Sequence, residues 1–172
     1  MQKAARKWRK NKMGIYACYK EVDDRKIQEM LCENKEPEQE EIVFEKSNTC
    51  SLDKLWDGLH CLLTGGSKYL NGNPFSEAVL GKEIAPQNGE ISFVFPERTV
   101  EIAAALNEFD LKAALDAFSP EHFDKEKIYP SSIWLRDDKE SLKQELETAF
   151  KVLKDFYNET VKNQKGVMVI IG

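Results

Sequence analysis

Leu52-Asp53-Lys54-Leu55-Trp56-Asp57-Gly58-Leu59-His60-Cys61-Leu62-Leu63-Thr64-Gly65 is the stretch that most constrains how this chain folds. Leu52, Leu55, Trp56, Leu59 and Leu63 recur at three- and four-residue steps, which puts them on one face of a helix. Asp53, Asp57, His60 and Thr64 form a second stripe beside that face. Asp57 is then within reach of His60, and His60 within reach of Thr64. Ser51 is placed to cap such a helix, Asp53 suits its first turn, and Gly65-Gly66 suits its end. The spacing predicts a helix over 52–64 with its apolar face on a sheet.

Outward from that helix the pattern is mixed. Gly14 to Glu21 reads as a first strand, with Ile15, Ala17 and Tyr19 on one face and Tyr16 and Cys18 on the other. Asp23 or Asp24 can cap a helix carrying Ile27, Met30 and Leu31 and ending near Asn34. Lys35 to Lys46 is acidic, and its Ile42-Val43-Phe44 fits either a short strand or a helical turn. Asn71-Gly72-Asn73-Pro74 is a turn, after which Ser76 is read as the cap of a short helix, Glu77 to Leu80, ended by Gly81. Ile91 to Phe95 alternates as a strand, and Pro96 suits a helix N1 position, with Val100, Ala103, Ala104 and Leu106 facing a core. Leu111 to Phe118 and Ser119-Pro120-Glu121 open two further helical pieces. Ile128-Tyr129-Pro130-Ser131-Ser132-Ile133-Trp134 is an aromatic loop with a rigid turn at its proline.

The last third is the clearest. Leu142, Leu146, Ala149, Phe150, Leu153, Phe156, Tyr157 and Val161 repeat at helical steps over Lys139 to Lys162. Gly166 is expected to end that helix. Val167 to Ile171 is apolar on both faces, as a central strand would be. The expectation is an α+β domain: a small mixed sheet of few strands packed by several helices, with a long C-terminal helix followed by a final central strand.

Composition bounds the function classes. The chain has 172 residues, 41% hydrophobic and 32% charged, enough for one domain with a real core. No apolar run approaches the roughly 20 residues that a membrane-spanning helix needs. Six of the 25 basic residues fall in 1–12, which has no acid; the remaining 19 face 30 acids, a net of −11 over 13–172. An acidic body argues against binding nucleic acid through its phosphates. No apolar stretch follows the basic leader, so it is not a secretory signal, and the expected compartment is the cytoplasm. Cys18, Cys32, Cys50 and Cys61 are irregularly spaced with no Cys-x-x-Cys pair, which suits free thiols and no metal centre. Trp8 is encoded by TGG and Arg9 can be AGG, so the codons can read TGGAGG, a ribosome-binding sequence, ahead of Met13. The expectation is that translation starts at Met13 and that residues 1–12 are a non-native or disordered basic leader to a single domain, 13–172.

Several of these stretches together resemble the YfbM-like family of bacterial proteins. Met13-Gly14-Ile15 is similar to its usual start. Leu52-Asp53-Lys54, Trp56, Leu59-His60 and Leu62-Leu63-Thr64-Gly65 resemble its central motif. Pro74, Ser76 and Ala78-Val79-Leu80-Gly81 follow its next motif, with Phe75 in place of leucine. Tyr129-Pro130, Trp134, Phe156-Tyr157 and Val167 to Gly172 extend the likeness to the C-terminus. Asp57 stands where many members carry a histidine, which weakens any mechanism that requires two histidines there. The resemblance implies an α+β domain and no established activity.

Asp57, His60 and Thr64 in a row invite an acid–base or nucleophilic assignment. One straight helix, however, offers neither oxyanion donors nor a cavity, so no catalytic residue is assigned. The structural expectation is that Asp57 orients His60, whose other nitrogen bonds a carbonyl near Gly65-Gly66. Trp56, Tyr129 and Trp134 suit core packing first and an aromatic pocket second. His122 reads as a solvated first-turn residue. Thr64-Gly65-Gly66-Ser67-Lys68 follows a helix and lacks the upstream glycine, so it is not a P-loop. No cofactor is indicated.

Two functions fit. The first is an intracellular non-catalytic interaction or regulatory module with a protein partner, an immunity-type protein being one form of it. The second is a small-molecule binder or hydrolase with a cleft near His60 and the Tyr129–Trp134 loop, using Trp56, Asp57, His60, Thr64, Tyr129 and Trp134. The second requires His60 to keep a nitrogen free. For the leader, mass spectrometry of protein from the native host is expected to find chains beginning at Met13 or Gly14; an intact leader would refute the shortened frame.

Overall fold

The computed structural model describes residues 14–32, 48–86 and 88–172. The basic leader and the Lys35–Lys46 stretch lie outside the described residues. Five strands form one sheet: β1 (Ala17–Val22), β2 (Thr49–Asp53), β3 (Glu83–Ala85), β4 (Asn88–Val94) and β5 (Gly166–Ile171). Their order is β2-β1-β5-β4-β3, and every neighbouring pair is antiparallel. The α+β class therefore holds, and the sheet is antiparallel where a mixed one was expected. Parallel neighbours need a crossover that returns the chain in the same direction. Here the long helical excursion from β4 brings β5 back in the opposite direction, between β4 and β1.

Seven helices are described: α1 (Asp24–Cys32), α2 (Trp56–Thr64), α3 (Pro74–Leu80), α4 (Pro96–Glu108), α5 (Leu111–Asp116), α6 (Pro120–Lys125) and α7 (Lys139–Lys162). On one sheet face Ala17, Tyr19, Val94, Val167 and Val169 pack with Leu59 and Leu63 of α2, Ala78 and Val79 of α3, Ile102 and Leu106 of α4, and the apolar stripe of α7. On the other face Phe93, Ile91 and Met168 meet Ile27 and Met30 of α1. β5 thus feeds both cores with alternate residues, which is why it reads as uniformly apolar. A third cluster joins Cys61 of α2 and Leu142 and Leu146 of α7 to Phe118, Phe123, Ile128 and Trp134.

The structure corrects several local expectations. Leu52 and Asp53 belong to β2, and the helix starts only at Trp56. Leu52 buries its side chain from the strand, Asp53 turns the chain at φ 48°, and the Leu55 N–H donates to the Leu52 carbonyl (3.0 Å). A leucine spacing that suits a helix is met here by a strand followed by a tight turn. Ser51 does not cap α2; its Oγ accepts the Asp53 N–H within the strand end (3.1 Å). Asn73, not Ser76, caps α3, accepting from the Phe75 and Ser76 amides, with Pro74 at N1. On α4 the buried stripe is Thr99, Ile102, Ala103 and Leu106, leaving Ala104 exposed and Val100 53% exposed. Gly166 opens β5 rather than ending α7, because a Cβ there would lie 2.5 Å from the Val94 carbonyl oxygen and from Ile27 Cδ1. The Tyr129–Pro130 peptide is cis.

α3 is short and its C-terminal end is buried, so its last four carbonyls need partners that water cannot supply. The Gly81 N–H takes the Glu77 carbonyl (2.9 Å). Hydroxyls from three other elements take the rest. Tyr157 of α7 donates to Ala78 (3.0 Å), Tyr19 of β1 to Val79 (2.8 Å) and Ser92 of β4 to Leu80 (2.7 Å). Burial pushes both tyrosine hydroxyls well above their usual pKa, so they remain donors. Tyr19→Phe would leave the Val79 carbonyl buried without a partner, at a cost of about 1–3 kcal/mol. The expected outcome is a lower urea midpoint with an unchanged denaturant slope.

Candidate functional site

α2 ends in a left-handed Gly65 (φ 88°), whose N–H donates to the Cys61 carbonyl (2.7 Å). That turn carries the Gly66 carbonyl back over the His60 ring. His60 is 0% exposed, with Nδ1 2.8 Å from the Gly66 carbonyl and Nε2 2.8 Å from Ser76 Oγ. A carbonyl only accepts, so Nδ1 carries the proton and Nε2 accepts from the Ser76 hydroxyl. Ser76 Oγ in turn accepts the Leu70 N–H (2.9 Å). Thr64 donates its hydroxyl to the His60 carbonyl (2.8 Å) and lies 3.1 Å from that of Gly66. Desolvation holds the imidazole pKa below its usual 6.5, against the opposing pull of the Gly66 bond and the nearby Asp57. The ring is a neutral strut between α2, the 65–70 turn and α3.

Asp57 does not orient His60. Its Oδ2 accepts the Tyr129 N–H (2.8 Å), tying the first turn of α2 to the aromatic loop. Burial raises its carboxyl pKa, and the Tyr129 amide partly offsets that rise. Trp56 stacks on Tyr129 with ring centroids 5.9 Å apart. Together the two side chains hold the backbone of one residue on both sides: Trp56 Nε1 donates to the Ile15 carbonyl (3.2 Å), and the Ile15 N–H donates to the Tyr129 hydroxyl (2.8 Å). Trp134 lies wholly in the core, donating Nε1 to the Ile128 carbonyl (2.7 Å). Its ring lies against Gly58, where a Cβ would come within 2.5 Å of it.

The six candidate residues therefore form no single cleft. His60 and Thr64 face the 65–70 turn, Trp56, Asp57 and Tyr129 hold the Ile15 segment and the loop, and Trp134 fills the third core cluster. His60 has no nitrogen left for a ligand. His122 is exposed, yet its Nε2 lies 3.1 Å from the Gly65 carbonyl and helps close the same helix end.

Three participants are not among the site residues read from sequence: Ser76 and Glu77, read there only as a helix start, and Arg98. Glu77 is fully buried, accepts the Gly72 N–H (3.0 Å) and pairs with Arg98, which also reaches Glu101 and the Gly72 carbonyl. The signal was present in Asn73-Pro74, a stronger helix start than Ser76. It places Ser76 and Glu77 inside the helix, where they need partners. Two of the thiols are poor nucleophiles, because burial pushes the pKa of Cys61 up to about 12 and raises that of Cys50 as well. Among the described residues no group of three or more His, Cys, Asp or Glu side chains could hold a metal ion. No helix there is long and apolar enough to cross a membrane.

The fold and these internally bonded groups define an α+β domain built on a five-stranded antiparallel sheet. Residues 13–170 match a family described as Domain of unknown function (DUF1877), and the chain belongs to that family. Protein YfbM of Escherichia coli (strain K12) is 30% identical over 125 residues, 69% of this chain and 74% of that protein. The crystal structure of YfbM from Escherichia coli, a protein of unknown function, superposes with a TM-score of 0.73, covering 91% of this chain and 99% of that one. Identity over that superposition is 19%, so the likeness speaks to the fold.

A buried imidazole with a lowered pKa gives a signed prediction. The unfolded chain binds a proton at this histidine below about pH 6.5 and the folded chain does not. Its contribution to stability is therefore complete above that pH and declines as pH falls from there toward the folded-state value. Ring ¹⁵N NMR is expected to show His60 neutral, protonated at Nδ1 and not titrating near pH 6.5. A normal titration would refute the strut.

Proposed function

We propose that this domain is a non-catalytic interaction or regulatory module of the cytoplasm that binds a protein partner. The observation that carries the proposal is His60. The imidazole flanked on its helix by Asp57 and Thr64 is 0% exposed, and protein groups take both its nitrogens. A residue that works on a substrate must reach it, and this one reaches Ser76 and Gly66. The net charge of −11 over residues 13–172 favours a protein over a nucleic acid as partner. Depressions formed by Lys82, Glu83, Phe95, Glu97, Arg98 and Glu101, and by Lys20 to Asp23 with Lys26, Lys165 and Met168, are open to solvent and are not lined by His60. Such surfaces suit protein contact better than an enclosed small ligand.

In-cell crosslinking in the native host, followed by mass spectrometry, is expected to capture a protein joined to surface lysines of this domain. Calorimetry with that purified protein is expected to give saturable binding with a Kd of about a micromolar or tighter. A small molecule turned over or bound by the domain, with the effect lost in His60→Gln, would overturn the proposal. So would the recovery of no partner that binds once purified.

A further inference from the structure

Residues 65–72, between α2 and α3, have no buried side chain among them. What fastens the segment is bonding of its backbone to side chains of the core. Gly72 is held at both groups, its N–H by Glu77 and its carbonyl by Arg98 (3.0 Å each). Gly66 and Leu70 are joined by a relay of hydrogen bonds that starts and ends in the segment itself. The Gly66 carbonyl accepts from His60 Nδ1, His60 Nε2 accepts from the Ser76 hydroxyl, and Ser76 Oγ accepts the Leu70 N–H (2.8, 2.8 and 2.9 Å). The Thr64 hydroxyl and the Asn73 N–H add one local bond each, to the Gly66 and Leu70 carbonyls (3.1 Å each). With a carbonyl at one end and an N–H at the other, the relay suits a neutral imidazole. An imidazolium would aim a second N–H at Ser76 Oγ and turn the hydroxyl hydrogen away from its acceptor.

The ring is wholly buried, so a proton added to it brings a charge that needs water. Water can reach it by two routes. Parting α2 from α3 would expose Leu59, Leu63, Ala78 and Val79, all buried in one core. Lifting 66–70 gives up no apolar burial by the segment's own side chains, and it trades the relay for bonds to water. The second route costs less. Of the charged groups around the ring, Asp57 on the same helix acts on it and favours the proton. Glu77 of α3 is turned to Gly72 and Arg98. Lys112 and Asp116 of α5 pair with each other, and Lys143 and Lys151 of α7 pair with Glu140 and Glu147. His122 of α6 bonds the Gly65 carbonyl, outside the relay, and Lys68 in the segment is exposed.

We propose that residues 66–70 are a proton-operated flap: uptake of a proton by His60 breaks the relay and releases the segment, while α2, α3 and the sheet stay folded. Desolvation holds the pKa of the covered ring below 6.5, and uncovering the ring returns it toward that value. Below about pH 6.5 the open form therefore binds a proton that the closed form does not, and opening becomes more favourable as pH falls. Above that pH the flap stays closed. Release bares His60 and Ser76 together, one from each of the two helices that the segment connects. The device is independent of what the module binds.

Hydrogen exchange of the Leu70 amide reads the opening, because that N–H is bonded to Ser76. It is measured by NMR on the whole chain from about pH 7 to about pH 5 and corrected for the intrinsic exchange rate. Protection of Leu70 is expected to fall by about tenfold per pH unit below 6.5, as one proton per opening requires. Leu70 should also exchange at least about tenfold faster than Leu59, a core amide of α2, at every pH, since the flap opens without global unfolding. In His60→Gln the pH dependence at Leu70 should vanish, and in His122→Gln it should persist. Three results would overturn the flap: protection of Leu70 that does not change with pH, protection equal to that of Leu59, or a pH dependence that survives His60→Gln or is lost in His122→Gln. The wild-type chain alone decides the first two, whether or not the variants fold.

Discussion

Everything around α3 depends on a constraint peculiar to short buried helices. A seven-residue helix has four C-terminal carbonyls without helical partners, more than half of its length. In water they are solvated, but beneath α2, α4 and α7 they must be met by protein. Five successive residues are each engaged by a different element: Ser76 by His60 of α2, Glu77 by Arg98 of α4, Ala78 by Tyr157 of α7, Val79 by Tyr19 of β1 and Leu80 by Ser92 of β4. The helix acts as a polar hub inside an apolar core. Hydrogen bonds of this kind add only about 1 kcal/mol each when made, but each costs more than that when broken and left buried. Their effect is chiefly on specificity: no neighbour can shift by a turn or a register step without orphaning a carbonyl.

His60 belongs to that system. Its position beside Asp57 and Thr64 imitates a catalytic row, and the helical spacing that suggests it is real. The partners that define its role come from outside the helix. Gly65 in a left-handed conformation delivers the Gly66 carbonyl to Nδ1, and Asn73 starts α3 so that Ser76 faces Nε2. Asp57, three residues before His60, turns to an amide 72 positions away. Desolvation then settles the protonation: a neutral ring with one donor and one acceptor fits a carbonyl and a hydroxyl, and an imidazolium would not.

Elements governed by long, one-sided periodicity were legible in the sequence. α7 spans Lys139–Lys162 as its apolar spacing indicates, and β5 is central as its two apolar faces require. The His60 bond to the Gly65-Gly66 turn was legible too, because a helix terminus supplies carbonyls close by. The β2–α2 junction was not. Leu52, Leu55, Trp56 and Leu59 satisfy a helical spacing, but a strand ending in a turn at Asp53 buries Leu52 equally well. Short apolar runs do not distinguish the two. Val100 misled for a related reason: α4 offers two adjacent candidate stripes, and the sheet selects the one through Thr99, Ile102, Ala103 and Leu106. The candidate site itself was legible as a set of residues but not as separate contacts, since the partners of Trp56 and Tyr129 lie in the Ile15 segment, far away in sequence.

That last contact bears on where recognition can occur. Aromatic residues near a surface can invite a ligand, but Trp56 and Tyr129 already grip a residue of their own chain, Ile15, through both its N–H and its carbonyl. They show how this fold treats extended backbone at one end of β1: it is held laterally by polar atoms of aromatic side chains. At the β3 edge, shortness and Pro86 discourage pairing. The polar side chains around α3 and the two rings at Ile15 are thus directed at the chain's own backbone, where they fix neighbouring elements against one another.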